Sequence, residues 1–199
     1  MRAKDDASTV LKIVIQAAKN YEMFLNKKHF CVVYQNGDNI DFVEIAFRDI
    51  NFLHLTGIKT KLSAKVFYSA ALAGKLSKAD ILLDSKDKVR QKLIVLPYLH
   101  ELLYNNCMIG NFINSGIYIK SDYFVGDTKA FLSLGFMKGK RKDIPVTLYN
   151  ENIKILSRPV KKVIAIFIKK NIEKEYKECT YISKGQNEKD LLKLVNKEV

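Results

Sequence analysis

The run Phe47-Arg48-Asp49-Ile50-Asn51-Phe52-Leu53-His54-Leu55-Thr56-Gly57 is dense in groups that can do chemistry. His54 can give or take a proton near neutral pH. Thr56 can donate a hydrogen bond to a phosphate oxygen, and Gly57 permits close backbone approach. Arg48, Lys59 and Lys61 can neutralise phosphate charge. The same residues also suit a buried turn, with His54 satisfied by a backbone carbonyl between Phe52 and Leu55. Composition alone favours that second reading.

A second group lies in Asp143-Ile144-Pro145-Val146-Thr147-Leu148-Tyr149, where Thr147 and Tyr149 fall on one strand face. They could face a phosphate across a cleft, or form cross-strand polar pairs on a solvated face. Lys138-Gly139-Lys140-Arg141-Lys142 is either a solvated basic loop or a contact for a phosphate backbone. Lys161-Lys162 and Lys169-Lys170 can extend that surface. Of the other histidines, His29 follows Lys27-Lys28 at a helix-to-strand junction and reads as a surface residue, while His100 reads as packed in a Leu-rich helix. Asp41 and Glu44, three apart in a strand, point to opposite faces and read as ordinary surface charges rather than a shared metal site.

The chain lacks a Walker loop, a dinucleotide-type glycine loop, HExxH and GxSxG. Cys31, Cys107 and Cys179 are odd in number and show neither ligand spacing nor a disulfide framework. The expectation is therefore no metal, no cofactor and a reducing, cytoplasmic setting. Lys12 and Lys19 break the first apolar run, so no signal peptide is expected. No stretch reaches the roughly 20 apolar residues of a membrane span.

The elements that must position these groups follow from periodicity. Val10, Leu11, Val14, Ala17, Ala18, Tyr21, Phe24 and Leu25 predict an amphipathic helix over 8–26. Phe30–Tyr34 and Ile40–Phe47 flank a Gly/Asn/Asp cluster and predict a hairpin. Ser63 caps a short helix ending near Gly74, and Ser77 to Leu83 suggests a helical turn. Residues 87–105 read as a helix that Pro97 breaks near Leu96. Strands are expected at Gly116–Lys120, Tyr123–Val125, Ala130–Phe136, Pro145–Tyr149, Lys162–Ile168 and Glu178–Ser183. Both faces of Val163–Ile168 are apolar, which places that strand centrally. The fold class expected is α+β, with N-terminal helices and a hairpin followed by a mainly antiparallel sheet. A single domain over 1–199 is expected, with residues 185–199 a terminal helical appendage.

Net charge is +13, of which residues 138–199 hold +8. A polyanion is the first partner to consider. Ten Tyr and eleven Phe could supply base stacking, although most Phe should be core.

The 47–57 segment resembles the F-R-x-x-N-F-x-H-L-T-G segment of a phage-borne nuclease class, the fourth of those named for barnase, EndoU, colicins and RelE-type toxins. Lys120-Ser121-Asp122-Tyr123 with Gly126, and Pro145-x-Thr147-Leu148, are further matches. The similarity runs over most of residues 8–170. It implies helices ahead of a four-stranded antiparallel sheet and metal-independent RNA cleavage, often by toxins of phages and mobile elements. By that resemblance Arg48, Asn51, His54, Thr56 and Thr147 are the site residues. The chemistry implied is attack of a ribose 2′-OH on the adjacent phosphorus, giving a 2′,3′-cyclic phosphate. His54 would be acid or base, Arg48 or a nearby Lys would stabilise the phosphorane, and Thr56 and Thr147 would bind non-bridging oxygens. Asn51, Lys59, Lys61, Lys120, Lys140, Arg141 and Tyr149 would hold RNA. A protein antitoxin or immunity partner, and no membrane, go with this reading. A non-catalytic nucleic-acid-binding or regulatory protein, or an interaction module kept soluble by its charge, are the alternatives. The nuclease reading requires His54, Thr56 and Thr147 to converge, and the basic last third to meet Arg48–Lys61.

Overall fold

The computed structural model describes residues 7–82, 87–113, 120–127 and 131–198. Helix α1 (Ala7–Phe24) buries Val10, Val14, Ala17, Ala18 and Tyr21, the stripe its periodicity predicts. Strands β1 (Lys28–Asn36) and β2 (Asn39–Ala46) form the expected hairpin, turning through Gly37 at φ 62°. A 3-10 turn (Asp49–Asn51) leads into the short helix α2 (Phe52–Thr56), and Ser63 caps α3 (Ala64–Leu72). Helix α4 (Asp87–Val95) passes into a 3-10 segment (Leu96–Tyr104) at Pro97, where the lost N–H breaks the α ladder.

The strands that follow are β3 (Met108–Phe112), β4 (Tyr123–Gly126), β5 (Leu132–Met137) and β6 (Ile144–Asn150). After the short helix α5 (Ile153–Leu156) come β7 (Ser157–Lys170), β8 (Glu178–Ile182) and α6 (Glu188–Glu198). Of the strand expected at Gly116–Lys120, residues 116–119 lie outside the described residues, and Lys120 is not in a strand. The periodic reading does not anticipate β3, α5 or the first third of β7, because each is short or broken by polar residues.

The fold is α+β with an antiparallel sheet. Among the described residues the sheet has eight strands, ordered β2-β1-β7-β3-β4-β5-β6, with β8 also paired to β7. That is twice the four that the resemblance implies: the β1–β2 hairpin and β8 flank a group of five strands, β3 to β7. Val163–Ile168 of β7 lie between β1 and β8 and are all buried, as two apolar faces require. The two ends of the strand order meet: the Ala46 amide donates to the Asp143 carbonyl at 2.9 Å, and the Asp143 amide to the Glu44 carbonyl at 2.8 Å.

Helices α1 to α4 cover one face of the sheet over a core that includes Phe30, Phe47, Phe52, Leu55, Leu134 and Leu148. On the opposite face α6 sets Leu191 and Val195 against Cys31, Val33, Ala165 and Phe167, and α5 sets Ile153 and Leu156 against Phe124.

Candidate functional site

Six of the eight specified positions in the 47–57 segment serve the fold. Phe47, Phe52 and Leu55 are fully buried in the main core. Asn51 is buried, and its Oδ1 accepts the Arg48 amide at 3.0 Å, which caps the 3-10 turn. Thr56 is buried completely. Its hydroxyl donates to the Leu53 carbonyl at 2.8 Å and accepts the Ile58 amide at 3.1 Å. Gly57 ends α2 in the left-handed region at φ 70°, and a Cβ there would stand 2.9 Å from Cδ of Lys92.

Arg48 and His54 are the exceptions, and both side chains are exposed. The Arg48 carbonyl is pinned by the Tyr21 hydroxyl at 2.8 Å, which fixes its backbone and leaves the guanidinium outward. His54 stands on the outer side of α2, between the buried Phe52 and Leu55. Its backbone carbonyl accepts a hydrogen bond from Lys92 Nζ at 3.2 Å. Burial of the Lys92 stem lowers the pKa of that ammonium to about 8. Lys92 thus places a cation at the C-terminal end of α2. Sequence reasoning missed it, because Lys92 lies on another helix and its only signal is the glycine it packs against. Lys59 and Lys61 are exposed on the segment that leaves α2.

The expected convergence of His54, Thr56 and Thr147 is not what the fold provides. Thr56 cannot reach solvent. Thr147 and Tyr149 do share a strand face, but that face is turned from helices α1 to α4. Thr147 Cγ2 lies over Gly135, 2.7 Å from where a Cβ would stand, and the Tyr149 ring meets Phe124 at 5.9 Å. Leu148, between them, points into the helix-covered core. Burial raises the Tyr149 pKa. Asn51, expected at the substrate, is buried at a cap.

Of the basic last third, one loop comes close to the segment. The loop 138–142 reaches the end of β2 through the Asp143 bridges described above, two residues ahead of Arg48. Lys138, Lys140 and Arg141 are exposed there, and Lys142 turns inward to pair with Glu44. Asp143 and Asp122 hold the loop: Asp143 accepts the Gly139 amide at 3.1 Å and the Tyr123 hydroxyl at 2.8 Å, and Asp122 accepts the Lys138 amide at 2.7 Å. The Lys120–Tyr123 segment therefore braces the basic loop, with Lys120 itself exposed.

A family model described as phage-Barnase-EndoU-ColicinE5/D-RelE like nuclease 4 matches residues 13–185, which take in every element from most of α1 through β8. The chain belongs to this nuclease family. No curated protein and no solved structure matches it. Helix α6 lies beyond the matched residues.

The nuclease carries one polar cluster that the sequence reading missed. His29 and Glu44, taken there as surface groups, are half-buried on the sheet face that α6 shares. Glu44 accepts from Lys142 and, at 2.6 Å, from the Tyr176 hydroxyl. Its burial raises the pKa, but these hydrogen bonds outweigh that and hold the carboxyl below its usual value. Lys169 donates to the Lys174 carbonyl at 2.7 Å and lies 4.2 Å from the Tyr176 ring centroid. Burial, with Lys142 and Lys169 nearby, lowers the His29 pKa to about 4, and its buried Nδ1 has no hydrogen-bond partner. His29 lies on the same face of β1 as Cys31 and Val33, which α6 covers, so it sits at the rim of an apolar cluster. Among the described residues, no group of three His, Cys, Asp or Glu side chains is arranged to hold a metal ion, and no helix is long and apolar enough to cross a membrane.

Proposed function

We propose that this nuclease cuts RNA, by attack of the ribose 2′-OH on the adjacent phosphorus and without a metal. One observation carries the reading. Of the eight specified positions in the 47–57 segment, only Arg48 and His54 keep polar side chains outside the fold. A buried cap needs Asn51 and Thr56, but no packing contact needs an exposed His and Arg.

His54 moves the proton, either from the 2′-OH or to the leaving 5′-oxygen. Arg48 stabilises the charge that builds on the phosphorane oxygens, where an oriented guanidinium is most effective. Lys59, Lys61 and the Lys138–Arg141 loop hold the phosphate backbone. Thr56 acts from inside, by fixing the turn that presents His54, and Lys92 closes the same turn. Thr147 and Tyr149 belong to the far face and take no part in the proton transfer. The 2′-OH is the nucleophile, so DNA is not a substrate. A cytoplasmic toxin of a phage or mobile element, held by a protein antitoxin or immunity partner, is the biological setting that goes with this chemistry.

The test is incubation of purified protein with RNA in EDTA. Products ending in 2′,3′-cyclic phosphate are expected, reduced at least about 100-fold in His54→Ala. Unfolding of that variant is expected at the wild-type temperature, because His54 is exposed. Cleavage that needs added magnesium would overturn the mechanism. Salt-dependent binding that leaves RNA intact would make the chain a binding protein.

A further inference from the structure

The loop 138–142 carries four cations in five residues, a run that repels itself unless something fixes it. Asp122 and Asp143 bond the amides at its start. Glu44 holds its end in two ways: its carbonyl accepts the Asp143 amide at 2.8 Å, and its carboxylate accepts Lys142. The same carboxylate oxygen, Oε1, also accepts the Tyr176 hydroxyl at 2.6 Å. An oxygen fixed by two charge-assisted bonds has little freedom to swing. Tyr176 lies in the connection from β7 to β8, within Asn171-Ile172-Glu173-Lys174-Glu175-Tyr176-Lys177. Apolar burial alone should insert Ile172, yet Ile172 is 90% exposed and Tyr176 is 1% exposed. The Tyr176 ring packs with Cys31, Val33, Leu191 and Val195, and its hydroxyl reaches Glu44, which an Ile could not do. Helix α6 fixes the backbone at that residue. The Asn196 side chain accepts the Tyr176 amide at 2.8 Å and donates to the Tyr176 carbonyl at 2.9 Å, as a paired strand would.

We propose that Asn196, Tyr176 and Glu44 are positioning residues, a relay through which α6 sets the loop that grips the RNA backbone. The proposal rests on the RNA-cleaving reading above and adds how its grip is held from the far side of the sheet. None of the three touches RNA. They act through Lys142, which spends its own charge on Glu44 and leaves Lys138, Lys140 and Arg141 turned outward. The relay crosses three elements distant in sequence: α6, the β7–β8 connection and β2. Tyr176→Phe removes one hydroxyl and leaves every charge in place, so what it changes is the position of the loop and not the field around it.

Amide hydrogen exchange of the free protein, read residue by residue by NMR, tests the relay without RNA. In Tyr176→Phe and in Asn196→Ala the Gly139 and Asp143 amides should exchange about fivefold or more faster than in wild type. Steady-state cleavage should show KM raised about threefold or more with kcat unchanged. Tyr176→Phe keeps the ring and its packing, and Asn196 is only half-buried, so both variants should fold. Ile153→Val, in the apolar cluster under α5, is the control: it lowers the melting temperature away from the relay and should change neither readout. Faster exchange in both relay variants, with wild-type protein that neither binds nor cuts RNA, would sustain the link from α6 to the loop and sink the RNA-cleaving reading. RNA cleavage by wild type, with exchange and KM unchanged in both variants, would overturn the relay and leave the nuclease reading standing. A response in Tyr176→Phe alone would overturn the part assigned to α6. Equal acceleration in Ile153→Val would overturn the whole relay, by tracing the effect to lost stability.

Discussion

Thr56 holds both sides of the turn that carries His54. Its hydroxyl donates a hydrogen bond to the Leu53 carbonyl and accepts one from the Ile58 amide, and no water reaches it. Replacing it by Val keeps the shape and strands two buried backbone groups, a loss of about 1–3 kcal/mol. Urea denaturation should show that loss for Thr56→Val and a smaller one for Thr56→Ser, which keeps the oxygen. A Thr56→Val chain as stable as wild type but inactive would return Thr56 to the substrate. His29 makes a pH-dependent contribution of definite sign. Folded, it titrates near 4; unfolded, near its ordinary value of about 6.5. Between those values the unfolded chain binds the proton and the folded chain does not, so stability is full above about pH 6.5 and falls as the pH drops toward 4. Glu44, held low in the same cluster, loses its contribution further down, as the pH passes below the ordinary Glu value of about 4.3. Melting temperatures from pH 7 to 4.5 should fall less steeply for His29→Gln than for wild type. Parallel curves would show that His29 is not the group responsible.

At the scale of elements, Gly57 couples two helices. It needs the left-handed conformation to end α2, and its missing Cβ makes room for the Lys92 stem from α4. Gly57→Ala should cost about 1–2 kcal/mol for the backbone alone. It should also push Lys92 off the His54 carbonyl, so cleavage should fall further than in a Lys92→Met variant that leaves the glycine in place. Thermal melts and initial rates on one RNA read both effects. Much at this scale was legible beforehand. The α1 stripe, the Asn36–Asn39 hairpin, the Ser63 cap and the break at Pro97 rest on local rules, and local geometry obeys them. The central place of Val163–Ile168 followed from its two apolar faces. The site was legible only in part. His54 and Arg48 stood out by residue type, but whether Thr56 or Asn51 faces substrate or backbone depends on a turn whose closure is tertiary. The pairing of Glu44 with Lys142, residues distant in sequence, is set by the β2–β6 meeting, and no periodicity encodes that contact.

For the molecule as a whole, the fold distributes the +13 unevenly between use and storage. Within the basic last third, Lys142 is committed to Glu44, and Lys169 is buried on Tyr176 and the Lys174 carbonyl. These charges stabilise the sheet face under α6 and are poorly placed to meet RNA. Lys138, Lys140 and Arg141 point outward instead, on a loop fixed by Asp122 and Asp143 and delivered two residues from Arg48. A grip that is rigid and adjacent to the proposed chemistry sets the register of the strand, which diffuse charge cannot do. Each phosphate neutralised on a single strand contributes about 0.7 to the slope of log binding constant against log salt. Replacing Lys138, Lys140 and Arg141 together by Ala should therefore flatten that slope by up to about 2. The slope is measured by fluorescence anisotropy on 2′-O-methyl RNA, which binds but cannot supply the nucleophile. Replacing Lys12 and Lys19 on the exposed side of α1 removes charge remote from that loop in sequence and should leave the slope within error. Equal flattening per charge removed at the two places would mean that RNA is held by the overall field of the molecule, and the loop would then lose its claim to position the scissile phosphate at Arg48.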